Sequence, residues 1–302
     1  MKSFQVRGAE FLGVEIQLGE REVDNFLTCR TLFGDKAEAI LKTTGILKRR
    51  VAGEGETSLS LCVQAARRLL ERLAVKPEEI VAVVSVSFTP QLAMPGNAQL
   101  AQAELGLKED VAAFDLSHAC AGYPYALYLA ARLAGDLGGK VLVLDGDVQT
   151  RLADNTTAAL LSDAGSATLI GPGGEEAWKF AFWTDGSRAD ELKVSGGKLR
   201  MNGFGVFRFA ASDVSRWAEE FIAGEQVDAF VPHQANVYMV KELARGLGLE
   251  EKLAISGDET GNCASASIPV TLGKVIEPGK PKRCFLAGFG GGLSASMALI
   301  NA

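Results

Sequence analysis

Seven apolar runs alternate with segments of helical period along this chain: Ile80–Phe88, Val111–Leu116, Lys140–Asp145, Ser166–Ile170, Val227–Val231, Arg283–Phe289 and Ser296–Ile300. That order, broadly β then α, limits the fold more than any other feature and predicts an α/β architecture. The clearest helix spans about Ser58 to Ala74, with Leu59, Cys62, Val63, Ala66, Leu69, Leu70 and Leu73 on one face and Arg67, Arg68, Glu71 and Arg72 around the other. Thr57 or Ser58 is placed to cap it. Asp213–Ile222 and Ala235–Leu247 repeat the stripe with Trp217, Ala218 and Phe221, and with Val240, Leu243 and Ala244. Such stripes face a core; they are not cofactor boxes.

At 302 residues the chain is long for one compact unit, so two lobes are expected. Gly171-Pro172-Gly173-Gly174-Glu175-Glu176 is the best linker, dividing residues 1–172 from residues 173–302. Each part shows a similar run of strands and helices, which suggests an internal duplication. A content of 47% hydrophobic and 23% charged residues is that of a globular protein. The net charge of −6 disfavours general binding to nucleic acid or anionic membrane. No apolar run is long enough to span a bilayer, and the first residues lack the pattern of a secretory signal, so a cytoplasmic location is expected. Cysteines at 29, 62, 120, 263 and 284 form no C-x-x-C pair and are odd in number. With only two histidines beside them, neither a disulfide framework nor a metal centre is expected.

One stretch joins an apolar strand to a long Ala- and Leu-rich helix through small residues: Phe114-Asp115-Leu116-Ser117-His118-Ala119-Cys120-Ala121-Gly122-Tyr123-Pro124. Cys120 stands at the join. There it would meet unpaired helical N–H groups and the positive end of the helix dipole, which favour a thiolate. Taken singly, it reads more readily as a small buried hydrophobe, and the residues further along the chain reverse that reading. In the second half, Phe230-Val231-Pro232-His233-Gln234-Ala235-Asn236 ends a strand and opens a helix. Thr260-Gly261-Asn262-Cys263-Ala264-Ser265-Ala266-Ser267 is a small-residue loop entering another helix, and Gly288-Phe289-Gly290-Gly291-Gly292-Leu293-Ser294 follows a strand. Leu293 stands where a dinucleotide fingerprint would need its last glycine, so that reading fails. His118 and Asp163 read as structural.

The order Cys, His, Asn and a glycine turn resembles the β-ketoacyl-acyl-carrier-protein synthase III family of the thiolase superfamily. The likeness rests on Ala119-Cys120-Ala121-Gly122, Val231-Pro232-His233-Gln234-Ala235-Asn236, Gly261-Asn262 and Gly288–Gly292, with Thr44-Gly45-Ile46 and Asp163–Ala167 as further landmarks. It implies a thiolase-like fold of five layers, αβαβα, built from two similar halves, and a homodimer. It also implies a condensing acyltransferase with no cofactor. Cys120 would be the nucleophile, the backbone N–H groups of Cys120 and Gly291 the oxyanion hole, and His233 and Asn262 the donors to an enolate formed from a malonyl thioester. Met94, Leu161, Lys241 and Arg245 are the candidate substrate-binding residues. Papain-like proteases share the chain order but carry a Cys-Gly-x-Cys-Trp neighbourhood that is absent here, and chalcone-synthase-type enzymes usually place a proline in the last glycine turn.

The departures from the pattern are informative. Ala39 and Thr43 stand where family members that use coenzyme A place a Trp and an Arg for the adenine, and Tyr238 replaces another Arg. Met94 stands where the family often has an aromatic residue reaching the neighbouring subunit's acyl tunnel. These replacements point to acyl carrier protein as the acyl donor, docked through Lys241 and Arg245, which lie four apart on one helical face. Acyl transfer to an alcohol or amine without decarboxylation, and a non-catalytic partner subunit, are the other classes the residues allow.

Overall fold

The computed structural model describes residues 1–302. Two five-stranded sheets stack with two helices between them and further helices outside. The first sheet runs Ala9–Leu18, Ala164–Pro172, Lys140–Asp147, Ile80–Val86 and Ala112–Leu116, the last three parallel. The second runs Ser3–Val6, Trp178–Thr184, Ser294–Asn301, Arg283–Gly290 and Ala229–Pro232, with only the last two parallel. The four strands Ile80–Val86, Lys140–Asp147, Ala164–Pro172 and Ala9–Leu18 thus have counterparts in direction and order in the second sheet. The segment Gly173–Glu176 connects the sheets, and Ser3–Val6 crosses to join the second one.

The central helices explain the spacing. Gly122–Leu137 lies between the sheets and buries Ala126, Ala130, Ala131 and Ala134 together with Leu127 in one cluster with Val84 and Val143 of the first sheet and Val231 and Leu286 of the second. A helix covered on both sides needs small side chains on more than one face, and the alanines supply them. Ser267–Val275 is its counterpart, contributing Ile268 and Leu272. On the outer face of the first sheet, Ser58–Arg72 begins with a reciprocal cap: Thr57 Oγ1 accepts from Ser60 N at 3.1 Å and Ser60 Oγ accepts from Thr57 N at 2.9 Å. Ser215–Ile222 and Val237–Leu247 cover the second sheet through Trp217, Phe221 and Leu243.

The seven expected runs all form strands, and the structure adds others. Ala9–Leu18 escaped the sequence pattern because its register slips between Phe11 and Gly13, which breaks the alternation of inward and outward residues. The helical stretch expected from Asp213 starts earlier, at Gly203, and passes through a π-helical turn, Phe209–Val214, before Ser215–Ile222.

Candidate active site

A cavity of about 750 Å³ opens where the C-terminal ends of the parallel strands of both halves meet, and Cys120, His233 and Asn262 all line it. Each arrives by a different route. Cys120 follows the Ala112–Leu116 strand through a tight turn, in which His118 N donates to Leu116 O at 2.8 Å and Gly122 N to Ala119 O at 2.7 Å. The glycine turn packs against it. A side chain on Gly290 would place its Cβ 2.9 Å from Cys120 Cβ and 3.3 Å from Sγ, so only glycine lets that strand end approach the sulfur. The backbone N–H groups of Cys120 and Gly291 have no acceptor elsewhere in the backbone, and the Cys120 N–H is aimed at its own sulfur.

The helix does not activate Cys120 in the resting state as its sequence position suggests. The first-turn N–H of Tyr123 is taken by Ser265 Oγ at 2.9 Å. Although the residue is only half-buried, its surroundings are apolar and two buried carboxyls, Asp147 and Asp145, stand nearby. Desolvation first, and those carboxyls next, push its thiol up to about 12. Asp147 Oδ1 accepts from Ser87 Oγ, Phe88 N, Thr89 N and Thr89 Oγ1 at 2.8–2.9 Å, while burial raises its pKa to about 7. Both carboxyl oxygens of Asp145 are buried without a hydrogen-bond donor, and burial first and the neighbouring Asp147 next hold its pKa well above the usual carboxylate range.

His233 terminates the Ala229–Pro232 strand, its N–H donating to Ala287 O at 2.8 Å. The ring is buried, edge-on to Phe289 at 5.5 Å, with Nδ1 2.9 Å from Ser267 Oγ. That hydroxyl also accepts from Gln234 N at 3.1 Å and has one proton to give; when it donates that proton to Nδ1, Nε2 carries the ring proton. Burial lowers the His233 pKa to about 4, so the imidazole is a neutral donor. Asn262 lies in the loop before Ser267–Val275; its Oδ1 accepts from Ala264 N at 2.9 Å and its Nδ2 donates to Ala235 O at 3.3 Å.

A strand-end Cys, a strand-end His and a loop Asn, converging with a glycine turn between two duplicated halves, decide the relationship. This chain belongs to the 3-oxoacyl-[acyl-carrier-protein] synthase III family. The family's own model matches residues 114–186 and its C-terminal model residues 218–302. A β-ketoacyl-[acyl-carrier-protein] synthase III from Rhizorhabdus wittichii is 33% identical over 98% of this chain and 100% of that protein. The crystal structure of a 3-oxoacyl-(acyl-carrier protein) synthase from Burkholderia xenovorans superposes with a TM-score of 0.94 at 29% identity, covering 100% of this chain and 96% of that one. The priming β-ketosynthase of a polyketide biosynthetic pathway gives 0.87 at 32% identity, over 97% and 96% of the two chains.

The remaining expectations divide. Leu161 and Gly291 line the cavity; Met94 does not, being 85% exposed on the loop before Asn97–Glu104. Lys241 and Arg245 are exposed on the helix whose first turn, with Tyr238 and Met239, forms part of the cavity wall, and Arg245 is tied to Glu242 at 2.6 Å. Thr43 and Tyr238 reach the cavity and Ala39 does not. His118, read as structural, lines the cavity and stacks on Tyr125 at 4.6 Å. Asp163 is a structural acceptor, taking Ala52 N at 2.8 Å and Thr150 N at 2.9 Å. Sequence reasoning missed Ser265, Ser267 and Gln149: the two serines stand out only as hydroxyls in a small-residue loop, and Gln149, among Asp147, Thr150 and Arg151, carries no local signal.

Proposed function

We propose that this family member is a condensing acyltransferase of fatty acid or related metabolite synthesis, working through Cys120. The Cys120 sulfur adds to an acyl thioester, and the proton of its thiol leaves with the departing thiol. The oxygen charge that develops falls to the N–H groups of Cys120 and Gly291, which have no other backbone acceptor. A malonyl thioester then loses carbon dioxide. The enolate oxygen is held by neutral donors, His233 Nε2–H and the Asn262 amide, and the enolate carbon forms a bond to the acyl carbon and releases the Cys120 thiolate, which takes up a proton. The observation that carries this reading is the convergence of Cys120, His233 and Asn262 on one cavity. Incubation with an acyl thioester should add one acyl mass to the peptide that contains Cys120. Labelling at Cys29, Cys62, Cys263 or Cys284 instead would refute it, and an acyl-enzyme that passes its group to an alcohol or amine but not to a malonyl thioester would favour simple transfer.

The donor's handle is proposed to be acyl carrier protein. Among the residues lining the cavity Lys193 alone is charged, and it is tied to Asp190, which leaves little to pair with the phosphates of coenzyme A. Lys241 and Arg245 are the proposed docking cations, Arg245 the weaker because Glu242 already holds it. A homodimer is also proposed. The Ala112–Leu116 strand is an open sheet edge, and Leu92 and Met94 stand exposed on the loop before Asn97–Glu104, with Met94 proposed to reach the partner's tunnel. Light scattering on the purified protein tests it. Five free cysteines suit a reducing compartment, and the cytoplasm is proposed. No helix is long and apolar enough to cross a membrane.

A further inference from the structure

Arg49 has an environment that nothing in the chemistry above uses. Its side chain is buried, yet the guanidinium meets only neutral acceptors: Asn25 Oδ1 at 2.8 Å, Leu161 O at 3.0 Å and Thr28 Oγ1 at 3.1 Å. Desolvation pulls its pKa below the ordinary value, although a guanidinium stays charged. Asp163 acts on this charge only at longer range, and a buried cation with no carboxylate in direct contact costs stability that a packed apolar residue would not. What the charge provides here is a fixed fork of donors at one place in the backbone.

That place is the segment that pairs with Asn262. Asn262 N donates to Leu160 O at 2.9 Å, and Ser162 N donates to Asn262 O at 2.8 Å, so the loop is pinned on both sides of Leu161, whose carbonyl Arg49 holds. Gln149 completes the clamp. Its Nε2 donates to Asn262 O at 2.6 Å and to Ser162 O at 3.1 Å, and the residue is 2% exposed at the cavity wall. Gly261 shows how tight the seam is: a Cβ there would lie 2.3 Å from Ser162 Oγ and 3.1 Å from Arg49 Cγ, at a φ of +68°. Arg49, Gln149 and Leu160–Ser162 all precede the linker and Asn262 follows it, so the clamp fastens one half to the other at the reacting end.

We propose that Arg49 and Gln149 are positioning residues that hold Asn262 for the carbon–carbon bond-forming half-reaction through the backbone of its loop. The inference rests on the proposed role of Asn262 as an enolate donor. A donor displaced by about 1 Å can lose on the order of 100-fold in rate, and only the step that uses the donor should feel it.

The test takes the full-length protein with Arg49→Lys, Gln149→Leu and, as control, Asn262→Ala. Acylation of Cys120 is followed by intact mass and condensation by product formed from a malonyl thioester. Arg49→Lys and Gln149→Leu should acylate at the parent rate and condense on the order of 10- to 100-fold more slowly, in kcat and not in the KM for the acyl donor. If Arg49→Lys does not fold, Gln149→Leu removes two neutral hydrogen bonds from a short turn and carries the test alone. Should Asn262→Ala condense normally, its proposed role is wrong and this inference goes with it. If that control fails to condense while both variants condense at the parent rate, or if they slow the two half-reactions equally, the positioning role is overturned and the role of Asn262 stands.

Discussion

At the floor of the cavity the proposed donors are held, His233 by Ser267 and Asn262 by its own loop and by Leu160, Ser162 and Gln149. At the mouth, Val194, Met201 and Tyr238 are 44%, 38% and 47% exposed, the Phe207 and Tyr238 rings lie stacked 6.4 Å apart, and Lys193 is the one charge. The floor is built for one geometry, so small displacements matter there. In the proposed reaction the mouth would meet only the donor's handle, which takes no part in the chemistry, so its surface can change with the donor.

The largest expected effect lies at the floor. Cys120→Ala should abolish acyl labelling in the mass spectrum while leaving thermal unfolding close to the parent's, since one sulfur is removed. Next, Asn262→Ala should keep labelling but lose about 100- to 1,000-fold in condensation, measured by product formation; normal condensation would remove Asn262 from the donors to the enolate.

Solution pH sharpens the contrast in a different way. His233 must be neutral to donate from Nε2 without becoming a full cation, and its folded pKa of about 4 lies below that of a free imidazole. Condensation of a pre-acylated enzyme should therefore show no acidic limb from His233 between about pH 5 and 8, losing the neutral ring only as pH falls through about 4. A limb near 6.5 in that assay would mean that the ring is more hydrated than its burial implies. In stability terms the same depression means that the folded state resists protonation, so His233 contributes a loss that grows as pH falls from the unfolded value toward 4.

The smallest effects belong to the mouth. Tyr238→Arg should speed acylation from a coenzyme A thioester by about two- to five-fold, the worth of one screened ion pair, and leave the carrier-protein reaction at a similar rate. Lys241→Glu/Arg245→Glu should slow acylation from the carrier by about the same factor at low salt and less at high salt. A faster, salt-insensitive reaction from coenzyme A, unchanged in the double variant, would show that the handle is bound by other groups.

Most of the fold could be read from the chain because its signals are local and redundant. The parallel strands are short apolar runs, and Ser58–Arg72 carries both its stripe and its cap within the sequence. Ala9–Leu18 was hidden by a bulge that shifts the period, and Ser3–Val6 joins a sheet whose other strands lie beyond residue 177, a choice only tertiary pairing makes.

For the site, the sequence by itself determined which residue types stand at strand ends and helix starts: Cys120, His233, Asn262 and the glycine turn. It also determined which cations the mouth lacks. Only the tertiary structure decided the state of those residues. The Cys120 thiol is pushed up first by desolvation and then by Asp147 and Asp145, 27 and 25 positions along the chain. His233 stays neutral because burial excludes the charged ring. Asn262 is held from Arg49 and Gln149, more than 100 residues away, because ionisation and position depend on desolvation and on hydrogen bonds across the seam, and neither leaves a trace in local sequence.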